Sequence, residues 1–143
     1  MATRNIVRFE ERHIQAALAL YRSGYGVGLS SGDSAREIAR FLERNPGASA
    51  VVETPAEALV GAILCGHDGR RGFLYHLAVH PDERGQGLGR ALVEYSLDAL
   101  RAAGIPRVSI HVFAHNVAGA SFWAKLGWRV RADLAVQQFE LSG

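Results

Sequence analysis

The stretch HPDERGQGLGRALVEY, from His80 to Tyr95, decides the fold. It follows an apolar run, leads into a helical pattern, and carries three glycines at alternate positions between two arginines. Glycine costs a helix about 1 kcal/mol per position relative to alanine, so three of them at a helix start need a reason. The first amides of a helix have no internal partner and lie at the positive end of the helix dipole. Since glycines leave these amides accessible, the stretch predicts a site for a diphosphate.

The spacing of the glycines disfavours the two common nucleotide-binding loops. A Walker A loop continues as Gly-Lys-Ser/Thr, whereas Gly89 is followed by Arg90 and Ala91. A dinucleotide loop reads G-x-G-x-x-G, whereas Gly89 comes one residue too early after Gly87, and no acidic ribose partner stands at the usual distance. A glycine-rich loop that binds no ligand remains the alternative at this point.

Composition indicates one globular domain that covers residues 1–143. Hydrophobic residues make up 48% and charged residues 21% of the chain, as in ordinary folded domains. The net charge of +2 comes from scattered arginines, so we expect no nucleic-acid partner. The chain lacks an 18-residue apolar run and a signal-peptide core, which predicts no membrane association and a cytoplasmic location. No cluster of side chains has metal-ligand spacing, and Cys65 lies in an apolar run typical of a buried thiol.

Periodicity predicts the element order β-α-α-β-β-β-α-β-α-β-β. Ser34 and Glu37 form a capping box that should begin the second helix. Antiparallel hairpins on either side of one crossover unit indicate an α/β protein with a mixed, mostly antiparallel sheet covered by helices. The predicted strands are 5–9, 48–54, 58–66, 73–79, 107–113 and two C-terminal segments, WRVRADL (128–134) and AVQQFEL (135–141).

Two motifs now resemble a known family. Arg84-Gly85-Gln86-Gly87-Leu88-Gly89 is similar to the R/Q-x-x-G-x-G/A motif of the GCN5-related N-acetyltransferases, the GNAT family. NVAGASFWAKLGW, from Asn116 to Trp128, resembles the family's second signature, an asparagine before a helix that ends aromatic-x-Lys-x-Gly-aromatic. The resemblance covers about residues 60–130, and the element order agrees over the whole chain. It implies a GNAT fold and an N-acetyltransferase that uses acetyl-CoA as co-substrate.

The resemblance also implies how acetyl-CoA would bind. Amides of the glycine loop would bind its pyrophosphate, and the preceding strand would pair with the pantetheine arm along an edge that the next strand leaves open. Asn116 would contact this arm, and its alternative is a helix cap. The residues assigned to acetyl-CoA on this basis are Leu77, Ala78, Val79, Arg84, Gly85, Gln86, Gly87, Leu88, Gly89, Arg90, Asn116 and Trp123.

The implied reaction is direct attack of a primary amine on the thioester. Because well under about 1% of a lysine-type amine is neutral at pH 7, a general base is useful. We expect this base to be His111, five residues before Asn116, with His76 as second choice, although each could be an ordinary strand histidine. The Val79 amide would stabilise charge on the thioester oxygen. Trp123 stands where many members carry a tyrosine acid, so it forms a pocket wall or core, and the thiolate would take a proton from water.

The acceptor side should lie on the first two helices and the loop between them, where Tyr21 and Tyr25 are candidates. The sequence leaves three functions open: acetylation of a small-molecule amine, acetylation of a protein N-terminus, and a non-catalytic acyl-CoA-binding regulatory module. The C-terminal strand edges are compatible with a homodimer.

Overall fold

The computed structural model describes residues 4–23 and 27–141 of the chain. A five-stranded sheet has the order β1-β2-β3-β4-β5, in which only the β4–β5 pair is parallel. The α/β class and the mixed, mostly antiparallel sheet are therefore confirmed. The elements are β1 (Asn5–Arg8), α1 (Ile14–Arg22), α2 (Ala35–Arg44), β2 (Ala50–Glu53), β3 (Leu59–His67), β4 (Gly72–Val79), α3 (Leu88–Ala102), β5 (Val108–Ile110) and α4 (Val117–Lys125).

Each face of the sheet carries its own apolar core. Consecutive residues of a strand point to opposite faces, so Val51 packs with α1 and α2, whereas Val52 packs with α3 and α4. The α1 and α2 side buries Leu18, Ile38 and other residues, and the α3 and α4 side buries Leu92, among others. The sheet is thus fixed between two helical layers, and only its edges and strand ends are available for ligands. None of the helices in the described ranges is long and apolar enough to cross a bilayer.

The loop between α1 and α2 ends on a capping box, as predicted. Ser34 Oγ accepts from the Glu37 amide at 3.1 Å, and the Glu37 carboxylate accepts from the Ser34 amide at 3.3 Å. These two hydrogen bonds satisfy otherwise free amides at the helix start and hold the pKa of Glu37 below its ordinary value. The cap fixes the position of Asp33, which immediately precedes it.

A bulge interrupts β4 in its middle. The β3–β4 register shifts between Ala62 and Leu64, and His76 on β4 adopts a left-handed φ of 48°. A positive φ is uncommon outside glycine, so this backbone must be held by its surroundings. The bulge divides β4 into a first half that pairs with β5 and a second half that does not.

The two predicted C-terminal strands are wrong. Within the described residues the sheet ends at β5, and residues 128–141 adopt no strand. Their β-forming residues contact no ladder partner, and beyond Trp128 the large apolar side chains of this segment are exposed, from 63% for Leu134 to 94% for Leu141. Strand propensity depends on a partner and a packed face, and this segment has neither in the single chain. The predicted strand 107–113 also shortens to Val108–Ile110.

Candidate functional site

The glycine loop joins the end of β4 to the start of α3. Two of its glycines, Gly85 and Gly87, have φ values of 79°, in the left-handed region that favours glycine. The third, Gly89, has a different reason: a Cβ on it would lie 3.3 Å from the Phe122 ring of α4. The loop therefore uses glycine twice for backbone direction and once for close packing.

The first amides of α3 are available to a ligand. Gly87 is the N-cap residue, and no side chain in the described part of the chain caps the helix. The first helical hydrogen bond runs from the Ala91 amide to the Gly87 carbonyl at 3.0 Å. The amides of Leu88, Gly89 and Arg90 consequently have no partner inside the helix and point out of its end.

Glu83, just before the glycine loop, is fixed by hydrogen bonds from Arg4 and Gln86. Arg4 donates two hydrogen bonds to its carboxylate, at 2.7 and 2.8 Å, and Gln86 Nε2 donates a third at 3.3 Å. The Arg4 hydrogen bond lowers the pKa of Glu83 below its ordinary value. Farther along, Arg84 Nε donates to the Val79 carbonyl at 3.2 Å, which ties the loop to the strand end. The Arg4–Glu83 pair spans 79 positions and was not predicted from the sequence.

The second half of β4 presents an open edge. Its ladder with β5 ends at the pair Leu74 and Ile110, and β4 continues to Val79. His80 donates its amide to the Val60 carbonyl at 2.8 Å, so this pair is hydrogen-bonded across β3 and β4. Hydrogen-bonded and non-bonded pairs alternate in an antiparallel ladder, and the Val79 amide therefore points away from β3 toward the open edge. From the sequence we expect the strand after α3, which is β5, to leave this edge open, and the β4–β5 ladder does end at Leu74 and Ile110.

A partly buried histidine–carboxylate pair lies at the β4 bulge. His76 Nε2 and Asp33 Oδ1 are 2.8 Å apart, and each side chain is 16% exposed. The Tyr21 ring packs on the His76 ring at 5.2 Å, and its fully buried hydroxyl has no hydrogen-bond partner among the described residues. Burial, and secondarily the Asp33 charge, raises the pKa of Tyr21 far above its ordinary value. Sequence reasoning named His76 and Tyr21 separately but missed Asp33, which gives no local signal.

The first-choice base occupies a different setting. His111 lies just past the end of β5, not within the strand, and it is exposed. Its ring contacts the Phe73 ring at 6.0 Å, edge to face. The described part of the chain offers it no carboxylate within hydrogen-bonding distance. The structure therefore separates the two candidate histidines, and only His76 has an acidic partner.

The two signature residues of the last helix have structural roles. Asn116 is the N-cap of α4, and its Oδ1 accepts from the Gly119 amide at 2.9 Å. Trp123 is 7% exposed and packs on Trp128, with ring centroids 4.8 Å apart. Contacts of either residue with a cofactor stay predictions. Tyr25, named for the acceptor side, lies outside the described residues.

An α/β fold with a glycine loop at the end of an open-edged strand is typical of acyl-CoA-dependent acyltransferases, and comparison with known proteins specifies the family. The model of the acetyltransferase (GNAT) family matches residues 14–128, and the chain belongs to this family. A relative from Sodalis glossinidius named as an acetyltransferase is 37% identical over 99 residues, 69% of each chain.

Two solved structures share the fold. An aminoglycoside N-acetyltransferase, AAC(6')-Iy, in complex with CoA has a TM-score of 0.78 at 14% identity and covers 100% of this chain and 97% of its own. The ribosomal-protein-S18-alanine N-acetyltransferase from Escherichia coli has a TM-score of 0.68 at 23% identity, covering 87% of this chain and 77% of its own.

Proposed function

We propose that this chain transfers the acetyl group of acetyl-CoA to a primary amine by direct attack in a ternary complex. The observation that carries the proposal is the succession of three features from the middle of β4 onward: the His76–Asp33 pair, an open strand edge and, past the strand end, the uncapped α3 amides. Family membership supports acetyl transfer in general, and the CoA complex of a structural neighbour supports the donor.

The described residues fit the donor. Amides at the start of α3 would bind the pyrophosphate, because they are uncapped and lie at the positive end of the helix dipole. The open edge of β4 from Leu77 to Val79 would pair with the pantetheine amides as a further strand does. Acetyl-CoA, when bound, supplies an acetyl group activated as a thioester. The Val79 amide, which faces the open edge, would donate a hydrogen bond to the oxygen where negative charge develops.

His76 is the base that the geometry favours over His111. Asp33 accepts the hydrogen bond from Nε2–H of His76, which leaves Nδ1 with a free lone pair. This nitrogen would take the proton from the attacking amine, and the Asp33 carboxylate would stabilise the imidazolium that forms. Since Trp123 is buried and its indole is a poor acid, the departing thiolate would be protonated by water.

The test compares His76→Asn with His111→Asn. Asparagine tolerates a positive φ, so the first variant keeps the left-handed backbone at the bulge while it removes the base. We expect kcat for amine acetylation to fall by about 10²–10⁴-fold in His76→Asn. The kcat of Asp33→Asn should lie between those of His76→Asn and the unaltered chain. The CoA affinity, measured by calorimetry, should stay within about twofold. His111→Asn should retain its activity. Loss of turnover in His111→Asn alone would assign the base to His111 instead.

A second candidate function is a non-catalytic acyl-CoA-binding regulatory module, favoured by the buried Trp123 at the position of the family's tyrosine acid. It predicts calorimetric CoA binding without thiol release for any amine, and no effect of His76→Asn. Acetylation of a protein N-terminus is the alternative within the enzyme class. Peptides with a free N-terminus, set against small amines in the same thiol-release assay, separate these two acceptor types.

A further inference from the structure

An apolar pocket opens beside the His76–Asp33 pair. It has a volume of about 180 Å³, and its lining contains no charged residue. We name it the acceptor pocket, and its lining residues are Gly32, Ile38, Phe41, Leu64 and Tyr75. Its walls come from the loop before α2, from α2 itself and from β3 and β4, so it lies on the α1 and α2 side of the sheet.

The pocket and the pair share their two supporting segments. Gly32 in the pocket wall is the neighbour of Asp33, and Tyr75 in the wall is the neighbour of His76. Consecutive Cα atoms are about 3.8 Å apart, so the hydrogen bond between Asp33 and His76 joins the same two segments that form the pocket. A molecule seated in the pocket would therefore place an attached amine next to the base.

The lining selects the chemistry of the occupant. Leu64 and Ile38 are buried, and Phe41 and Tyr75 meet edge to face at 5.8 Å, which gives an aromatic and aliphatic surface. A cavity of about 150 Å³ lined by Leu, Ile and Phe is large enough for benzene, so this volume suits one aromatic ring or a branched alkyl group. Among the five lining residues, Tyr75 alone has a polar side-chain group, so a polar chain such as a polyamine would lose more hydration there than it regains in hydrogen bonds.

The adjoining polar groups favour an ammonium over an acid. Asp33 follows Gly32 of the lining and carries a carboxylate near the pocket. A carboxylate attracts a cationic amine and repels an anion. The site thus combines an apolar pocket with a neighbouring carboxylate that can attract a cation.

We propose that the acceptor is a primary amine bearing one compact apolar or aromatic group, which occupies the acceptor pocket. This inference rests on the proposed acetyltransferase function and specifies its substrate class. A free arylalkylamine and a peptide with an apolar N-terminal residue both carry a primary amine next to an apolar group, and the experiment includes both.

The experiment measures thiol release from acetyl-CoA with 2-phenylethylamine, 3-methylbutylamine, ethanolamine and putrescine, and with short peptides that begin with Phe or Ser. We expect kcat/KM at least about tenfold higher for the apolar member of each set, since small apolar groups in such pockets discriminate by about 10–200-fold. Tyr75→Ser should remove this preference by lowering kcat/KM for the apolar acceptors. The matched control is Phe73→Ser, which alters the stacked neighbour of Tyr75 on the same strand but not the lining.

Three outcomes are distinguishable. Equal or better use of ethanolamine and putrescine by the unaltered chain would overturn the pocket assignment and leave the acetyltransferase proposal intact. If none of the acceptors gave thiol release, although CoA binds by calorimetry, both proposals would be overturned. A preference confined to the peptides that begin with Phe would support the pocket and identify the source of the amine as an N-terminus. Because the panel uses the unaltered chain, the result does not depend on how well Tyr75→Ser folds.

Discussion

Gly87→Ala tests whether the backbone of the glycine loop binds the diphosphate. Gly87 has φ 79° and ψ 12°, and a Cβ there would meet no described atom within 4 Å. The cost of the substitution is therefore conformational. A left-handed L-residue costs about 1–2 kcal/mol, and the reduced freedom of the unfolded chain returns about 0.4–1 kcal/mol. The free energy of unfolding should fall by about 1 kcal/mol.

The same substitution should weaken CoA binding. If the loop moves to escape the left-handed conformation, the amides of Leu88 and Gly89 turn away from the ligand. A loss of about 1–2 kcal/mol in binding corresponds to roughly a 5–30-fold increase in Kd, measured by calorimetric titration with CoA. The matched control is Gly104→Ala at the other end of α3, where φ is 76° and the surroundings of a Cβ are equally empty in the described chain.

The control should lose similar stability in urea unfolding and keep its CoA affinity. If Gly87→Ala and Gly104→Ala bound CoA equally well, backbone strain at the loop would have no bearing on the ligand. The assignment of the diphosphate to the α3 amides would then be refuted, whatever the activity of the enzyme.

Two further predictions concern stability and assembly. Glu83→Gln should lower the free energy of unfolding more at about pH 7 than at about pH 3. The folded pKa of Glu83 lies below its ordinary 4.5, so its contribution is fully present above that value and is lost as the pH falls through the folded pKa. Urea unfolding at both pH values checks this, and an equal loss in acid would contradict it. We predict a homodimer that forms through the exposed C-terminal apolar residues, which Phe139→Ser should dissociate and Gln138→Ser should not. Light scattering on the eluting protein measures this, and a chain that is monomeric before any substitution would contradict it.

Features encoded within a few residues were predictable from the sequence. The glycine loop, the Ser34–Glu37 capping box and the helix after Asn116 all form as predicted, because each depends on backbone geometry and hydrogen bonds within one or two turns. The sheet class followed from periodicity in the same way. The resemblance to the GNAT family rested on two such local motifs, and the family match confirms it.

Contacts between distant segments were not predictable. Asp33 and His76 are 43 positions apart, and nothing near either residue marks the other as its partner. The C-terminal segments failed for a related reason. Alternating apolar residues such as Phe139 and Leu141 fit a strand pattern, but a strand forms only where a second strand and a packed face complete it. Local sequence reports the propensity of a segment and not the availability of its partner.

The bulge at His76 connects the donor and acceptor sides of the site. Because the β3–β4 register shifts there, one residue of β4 leaves the regular ladder and takes a left-handed φ of 48°. A non-glycine residue in this region costs about 1–3 kcal/mol unless its surroundings stabilise it. Here Asp33 holds the ring from the α2 side, and the Tyr21 ring packs against it.

Beyond the bulge, the β4 edge runs open to Val79 on the donor side, while His76 directly follows Tyr75, which lines the acceptor pocket. β5 ends at Ile110, so beyond the bulge β4 has no ladder partner on this side in the described chain. The bulged residue supplies the base on the acceptor side, and the Asp33 hydrogen bond orients it. For this reason Asp33→Asn should affect the chemical step through the orientation of His76, while the α3 amides, which lie outside this contact, continue to bind CoA.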